Sequence, residues 1–145
     1  MTESSDLLLP FAAASVGVAR RRLVSDLIHA GVCGSAVTDA ALVLSELLSN
    51  ALRHATPLPG SFLRVAWCHQ AGSVRIEITD GGAQTVPELG EPNPTTTGGR
   101  GLRIVERLSL CWGTSHDDEG TTVWAEVPVP QMTMAAVPAT AAERR

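Results

Sequence analysis

The sequence predicts a two-layer α/β sandwich of the α+β class, in which a mainly antiparallel, mixed sheet carries helices on one face. Three observations predict it. Apolar residues recur at three- and four-residue steps over a long central segment, which is typical of a buried helix. Two hairpin patterns with a two-residue period follow that segment. A chain of 145 residues is also long enough to bury one such core.

The domain organisation follows from composition along the chain. We expect a flexible N-terminus over residues 1–6 and a single domain over residues 7–128. From residue 129 to residue 145, Pro, Ala and Thr dominate, and we expect a disordered tail. Within the domain, the apolar run at residues 7–11 predicts an edge strand.

The first helix is predicted from Ser15, as its N-cap, to Gly31, where the helical period stops. It carries three consecutive arginines at residues 20–22. Such a cluster fits a solvated helix face, and it also fits a surface that docks a partner. The sequence leaves both interpretations open.

The central helix is predicted to begin near Ser35 and to end at the turn-rich residues 56–60. Glu46 and Asn50 lie one turn apart on it, beside the apolar stripe, and His54 follows after a further turn. The pair fits a solvated polar face. It also fits a carboxylate that takes a proton beside an amide oxygen that holds Mg²⁺, because Mg²⁺ prefers oxygen ligands and keeps most of its waters.

The first predicted hairpin ends in an acidic residue on its buried face. Asp80 is in phase with Ile76 and Ile78, so its carboxylate is predicted to point toward the core. A carboxylate there costs free energy unless a donor reaches it. Two interpretations stay open: a turn aspartate that begins the loop at residues 81–82, or an acceptor at the bottom of a pocket for a ligand's amino group.

A long segment without helical or strand period, residues 83–98, is a candidate lid. It leads through a glycine-rich turn at residues 98–101 into a predicted helix, and such backbone at a helix N-terminus is a ready site for phosphate. The last hairpin, residues 110–115 and 121–127, places Thr121 on the core-facing side. We expect these polar positions to converge on one cleft between helices and sheet.

Composition excludes several classes of function. The formal net charge is −4, which argues against general nucleic-acid binding, and the absence of Lys excludes lysine-based chemistry. Three widely spaced cysteines form no CxxC pair, so neither a zinc site nor a disulfide framework is indicated. No apolar run reaches the length of a membrane span, and the acidic N-terminus lacks the basic start of a signal peptide. We expect a cytoplasmic protein without a direct nucleic-acid or membrane partner.

Four segments together resemble the motifs of the GHKL ATPase/kinase superfamily. Glu46–His54 is similar to its N box and Asp80–Gly82 to its first glycine box. Gly99–Leu102 is similar to the second glycine box and Gly120–Thr121 to the third. They occur in the family's order and spacing, over about residues 35–127. Within the superfamily, the chain is most similar to the stand-alone anti-sigma-factor serine/threonine kinases.

The resemblance implies a Bergerat ATP-binding fold with an ATP lid, and ATP and Mg²⁺ as ligands. It implies Glu46 as the general base, Asn50 on Mg²⁺ and Asp80 as acceptor of the adenine amino group. The other residues that it implies to bind ATP are Gly82, Gly99, Arg100, Gly101, Leu102 and Thr121, with Thr122 as the alternative to Thr121.

The resemblance also implies a bacterial kinase that binds a sigma factor and phosphorylates a serine of an anti-anti-sigma (STAS-domain) partner, and so regulates transcription by partner switching. Relatives commonly form homodimers. The alternative is a regulatory module that binds ATP as a conformational ligand and transfers nothing. A histidine kinase would need a dimerising helical hairpin with a phosphoacceptor histidine, and the sequence does not indicate one. A gyrase-type ATPase would need a transducer domain, which the sequence does not indicate either.

Overall fold

The computed structural model describes residues 3–82 and 98–130, which form five strands and three helices. The strands are β1 (Glu3–Pro10), β2 (Phe62–Gln70), β3 (Ser73–Asp80), β4 (Cys111–Asp117) and β5 (Gly120–Pro128). The helices are α1 (Ala14–His29), α2 (Gly34–His54) and α3 (Gly98–Leu108). Each predicted helix and strand is therefore present. Of the predicted lid over residues 83–98, residues 83–97 lie outside the described residues, and Gly98 is the first residue of α3. Of the predicted tail over residues 129–145, residues 131–145 also lie outside them.

The strands form one sheet in the order β1-β2-β3-β5-β4, and every described pairing is antiparallel. The predicted sandwich is confirmed, but the prediction of a mixed sheet is not met. The physical reason is the position of β5. Helix α3 connects β3 to β4, which run in the same direction, and β5 separates them, so these parallel-running strands are not neighbours.

Strand β1 lies at the edge of the sheet, as predicted, but it begins at Glu3 and not at Leu7. Residues 3–6, which were expected to belong to a flexible N-terminus, pair with residues 66–69 of β2. The long neighbouring strand offers backbone partners to all of them. The Ser5 hydroxyl adds a hydrogen bond to helix α1, which a pattern search for apolar residues does not detect.

Helix α1 begins two residues earlier than predicted, and Ser15 is not its N-cap. The N-cap is Ala13, which makes no side-chain hydrogen bond to the helix. Ser15 is buried, and its hydroxyl donates to the Pro10 carbonyl at 2.6 Å. The serine therefore ties the start of α1 to the end of β1.

The core lies between the helices and one face of the sheet. Helix α2 packs against α1, α3, β3 and β5, and this central place explains the breadth of its apolar stripe. Its buried apolar residues are Ala36, Val37, Ala40, Ala41, Val43, Leu44, Leu47, Leu48 and Ala51. The other face of the sheet carries partly exposed charged residues, among them Arg75, Glu77 and Glu126. Within residues 3–82 and 98–130, no helix is long and apolar enough to cross a membrane.

Asp26 links α1 to the sheet. Its Oδ2 accepts hydrogen bonds from the Trp67 indole N–H at 2.9 Å and from the Ser5 hydroxyl at 2.8 Å. Trp67 is 2% exposed, so water cannot replace the lost acceptor. We expect Asp26→Ala to lower the free energy of unfolding by about 1–3 kcal/mol, measured by urea denaturation. The control Asp118→Ala, in the exposed β4–β5 turn, should change it by less than about 0.5 kcal/mol. Equal effects of the two substitutions would contradict this role.

Candidate functional site

A buried carboxylate marks the site. Asp80 ends β3 with 3% of its surface exposed, on the helix-covered face that its phase predicted. Burial raises the pKa of this carboxyl above its ordinary value, while the Gly82 backbone N–H and the nearby His116 oppose the rise. The Gly82 N–H donates to Asp80 Oδ1 at 2.7 Å. Asp80 therefore begins the glycine turn and is also buried, so the two interpretations of this residue do not exclude each other.

Three polar side chains form a row across neighbouring strands. Asp80 on β3 is the cross-strand partner of Thr121 on β5, and Thr121 is the partner of His116 on β4. Thr121 is 5% exposed, and its Oγ1 lies 2.9 Å from His116 Nδ1. Directly paired residues share one face of a sheet, so all three lie on the helix-covered side. We call Asp80, Thr121 and His116 the polar row.

His116 is a residue that sequence reasoning missed. The pattern placed it in a turn without a site, whereas the structure places it on β4, one residue before the strand ends at Asp117. Only the pairing of β4 with β5 brings it to Thr121. The sequence signal that could have found it is the two-residue period of β4, because that period, continued past residue 115, places His116 on the same face as Trp112 and Thr114.

Thr122 lies on the opposite face from the polar row. It pairs with Thr79, and the two hydroxyl oxygens are 2.7 Å apart. Because successive side chains of a strand alternate between faces, only Thr121 can share a site with Asp80. The register therefore removes Thr122, the alternative to Thr121, from the candidate residues.

Two glycines allow backbone segments to meet at the site. A Cβ at Gly120 would collide with the carbonyl oxygen of Asp80, and a Cβ at Gly81 would collide with the carbonyl oxygen of Pro57. Both collisions involve backbone atoms, which cannot turn aside as a flexible side chain can. Glycine at these positions therefore lets β5 and the segment after α2 approach the end of β3.

A cluster of hydrogen bonds joins the end of α2 to this turn. The N–H and the hydroxyl of Thr56 both donate to the Gly82 carbonyl, at 2.8 and 2.9 Å. The Gly81 N–H donates to the Thr56 carbonyl at 2.8 Å. We call these three bonds the Thr56 clamp. Sequence reasoning treated residues 56–60 only as a helix breaker, because no local pattern reveals partners 26 residues away.

Glu46 and Asn50 lie on α2, on the same rigid element that ends at the Thr56 clamp. Asn50 is 8% exposed and Glu46 is partly exposed. At 1.5 Å per residue, Asn50 lies about 6 Å and Glu46 about 12 Å along the helix from its last residue, His54. The interpretation as a solvated polar face does not hold for Asn50, whose surroundings are largely closed to water.

The predicted phosphate-binding residues lie at the start of α3. Gly99, Arg100 and Gly101 belong to its first turn, and Leu102 is buried with 4% of its surface exposed. The first turn contains no acidic residue, so no carboxylate of its own competes with an anion for the free N–H groups there. The predicted contact of the Arg100 side chain lies outside what the structure describes.

The donor atoms on α2 fit a hard cation. In the described part of the chain, no group of three or more His, Cys, Asp or Glu residues is placed to hold a metal ion. Mg²⁺ does not need such a group, because it retains several waters and takes one or two protein oxygens. The buried Asn50 amide supplies an oxygen of that kind, and the Glu46 carboxylate lies one turn away from it.

Comparison with known proteins agrees with this architecture. Residues 9–127 match the family described as "Histidine kinase-like ATPase domain". No curated protein matches the chain. Among solved structures, the RsbU and RsbW domains of Rv1364c from Mycobacterium tuberculosis give a TM-score of 0.66 at 21% identity, over 90% of this chain and 35% of that one.

A second structural match is the histidine kinase domain from the Erythrobacter litoralis EL346 blue-light activated histidine kinase. It gives a TM-score of 0.49 at 24% identity, over 83% of this chain and 61% of that one. The chain thus spans about a third of the length of the first structure and less than two thirds of the second. At these identities, the first likeness establishes the fold.

Proposed function

The chain belongs to the family of histidine kinase-like ATPase domains, and from this premise we propose that it is an ATP-dependent serine kinase of the anti-sigma-factor type. In this proposal it binds ATP and Mg²⁺ and transfers the γ-phosphoryl group to a serine of an anti-anti-sigma (STAS-domain) protein. It binds a sigma factor in alternation with that protein. The observation that carries the proposal is the Thr56 clamp, which joins the helix of Glu46 and Asn50 to the turn of Asp80.

The buried end of β3 is the proposed adenine site. An ionised carboxylate accepts hydrogen bonds only, and the exocyclic amino group of adenine donates them. Burial disfavours the charged form of Asp80, so a donor that reaches it offsets part of that cost. Thr121 lies beside Asp80 on the same face and is proposed to contact the same edge of the base.

The start of α3 is the proposed phosphate site. Backbone N–H groups of Gly99 and Gly101 would bind phosphate oxygens at the positive end of the helix dipole. Asn50 would hold Mg²⁺ through its amide oxygen. When bound, the ion neutralises the negative charge that the phosphates carry and develop during transfer. Leu102, the next residue of the helix, is buried, and we propose that its burial fixes this turn.

Glu46 is the proposed general base. A serine hydroxyl is a weak nucleophile, and Glu46 accepts its proton as the serine oxygen attacks the γ-phosphorus. The new oxygen–phosphorus bond forms while the bond to the β-phosphate bridging oxygen breaks, and ADP leaves with that electron pair. Protonated Glu46 then returns its proton to solvent.

The exposed face of α1 is the proposed partner surface. Its arginines 20–22 are exposed, and its one acidic residue, Asp26, is turned toward Trp67 and Ser5. A groove along the helix is lined by Gly17, Arg20, Arg21, Val24, Ser25, Ile28 and His29. A basic and apolar groove on a chain of net charge −4 fits a partner segment with acidic and apolar side chains. If both partners use it, their binding is mutually exclusive.

Calorimetric titration with ATP, with and without Mg²⁺, tests the nucleotide site. We expect binding that strengthens when Mg²⁺ is present, because Asn50 would hold the ion and the ion would neutralise charge on the phosphates. Absence of binding at millimolar ATP would contradict the proposal. Transfer is then tested with radiolabelled ATP and STAS-domain proteins from the same genome. Binding of ATP without labelling of any of them would favour the regulatory module that transfers nothing.

A further inference from the structure

His116 is the member of the polar row that none of the four sequence motifs contains. Its Nδ1 lies 2.9 Å from Thr121 Oγ1, so the two groups share one hydrogen bond. The neighbouring Asp117 does not compete for it, because its Oδ1 accepts the N–H groups of Glu119 and Gly120 instead. His116 is exposed whereas Thr121 is buried, so the imidazole reaches a hydroxyl that is largely closed to water.

The direction of this hydrogen bond decides what Thr121 presents to a ligand. A hydroxyl has one hydrogen and two lone pairs. If Nδ1 accepts that hydrogen, Thr121 can offer only lone pairs to the site. If Nδ1 carries a hydrogen and donates it to Oγ1, the hydroxyl hydrogen is left to point at the ligand. Ionised Asp80 beside it can only accept.

We propose that His116 donates its Nδ1–H to Thr121 Oγ1 and thereby sets the Thr121 hydroxyl as a donor toward N1 of an adenine base. His116 is then a positioning residue for base selectivity, and the inference rests on the proposed function as an ATP-binding site. Thr121 stands between Asp80 and His116 in the row, so a hydroxyl that accepts its hydrogen bond from His116 keeps its own hydrogen for the site that Asp80 borders.

The Asp80 acceptor and the Thr121 donor are complementary to the hydrogen-bonding edge of adenine and not to that of guanine or hypoxanthine. Adenine offers an amino donor at N6 beside an acceptor at N1. Asp80 as acceptor beside Thr121 as donor is complementary to that order. Guanine and hypoxanthine offer the reverse order, an acceptor at O6 beside a donor at N1. The Asp80 carboxylate would then face the acceptor O6, and the Thr121 hydroxyl hydrogen would face the N1–H donor. Mismatches of this kind leave buried polar groups unpaired and discriminate strongly.

The test compares ATP with 1-deaza-ATP, which has a C–H in place of N1, by calorimetry on the full chain. The unaltered protein should prefer ATP by about tenfold, as expected for one hydrogen bond in a buried site. His116→Ala should lower this ratio, because the Thr121 hydroxyl then loses its fixed direction. Thr121→Val, which removes the hydroxyl, should bring the ratio close to one, and the double variant should match Thr121→Val.

Two further variants separate positioning from a general structural effect. His116→Asn keeps an N–H donor near the position of Nδ1, so its preference for ATP over 1-deaza-ATP should lie between those of His116→Ala and the unaltered protein. Ser115→Ala, on the opposite face of β4, is the matched control and should leave it unchanged. A His116→Ala protein that loses affinity for both nucleotides equally, or for neither, would overturn the inference while the ATP site stands. No ATP binding by the unaltered protein would overturn the proposed function itself.

Discussion

Glu46→Ala is expected to abolish phosphoryl transfer while it leaves the affinity for ATP nearly unchanged. General-base catalysis by a positioned carboxylate contributes about 10²–10⁴-fold to rate, and alanine cannot accept a proton. Glu46 lies one turn from Asn50 and, in the proposed arrangement, contacts the attacking serine and not the base. Its loss should therefore lower the rate of transfer far more than it changes the dissociation constant.

The measurement pairs the rate of label transfer from radiolabelled ATP to a STAS-domain serine with calorimetric ATP binding. Asp39→Ala, on the same helix, is the control for removing a carboxylate from α2 and should leave both quantities unchanged. Glu46→Gln keeps the shape of the side chain without its basicity and should be as defective as alanine. Unchanged transfer in the Glu46 variants would remove the general-base role.

The elements of the fold could be predicted because each buries one face. The two-residue period placed Asp80 on the core side of β3, and the structure confirms that position. The helical period likewise located α2 and the turn at the start of α3. These are local properties of a segment, and the buried face of a segment can be read without knowledge of its neighbours.

The rest depends on partners that are distant in the chain. Neither the strand order, with β5 between β3 and β4, nor the face of Thr122 follows from a local pattern. The contact of His116 with Thr121 requires the register of β4 on β5, and the Thr56 clamp requires two segments 26 residues apart. Ser15 differs for a local reason, because its hydroxyl donates to the Pro10 carbonyl five residues earlier and not to the start of α1.

Asp80→Asn is expected to weaken ATP binding and to stabilise the fold. Both effects come from the replacement of one carboxylate oxygen by an amide nitrogen. The amide oxygen can still accept the Gly82 N–H, so the turn should persist. A side-chain N–H in place of a carboxylate oxygen would face the adenine amino group, donor against donor. Hydrogen bonds to charged groups contribute about 1.5–3 kcal/mol, so we expect a loss of about 10- to 150-fold in affinity.

The stability effect follows from the raised pKa of Asp80 in the folded protein. The folded state holds this proton more tightly than the unfolded state, so the contribution of Asp80 to stability is fully present below its ordinary pKa. It is lost as pH rises through the raised value, and at neutral pH the buried charge is a cost. Asparagine removes that cost.

Urea denaturation across pH checks this second effect. The Asp80→Asn protein should be more stable than the unaltered protein at pH 7, and its advantage should shrink as pH falls toward the ordinary pKa of an aspartate, about 4. Glu119→Gln, in the exposed β4–β5 turn, is the control and should show no such trend. Equal ATP affinity in the Asp80 variant would contradict the adenine site. A variant less stable at neutral pH would instead mean that the carboxylate is held by stronger donors than Gly82 alone, and that burial is not the dominant influence on Asp80.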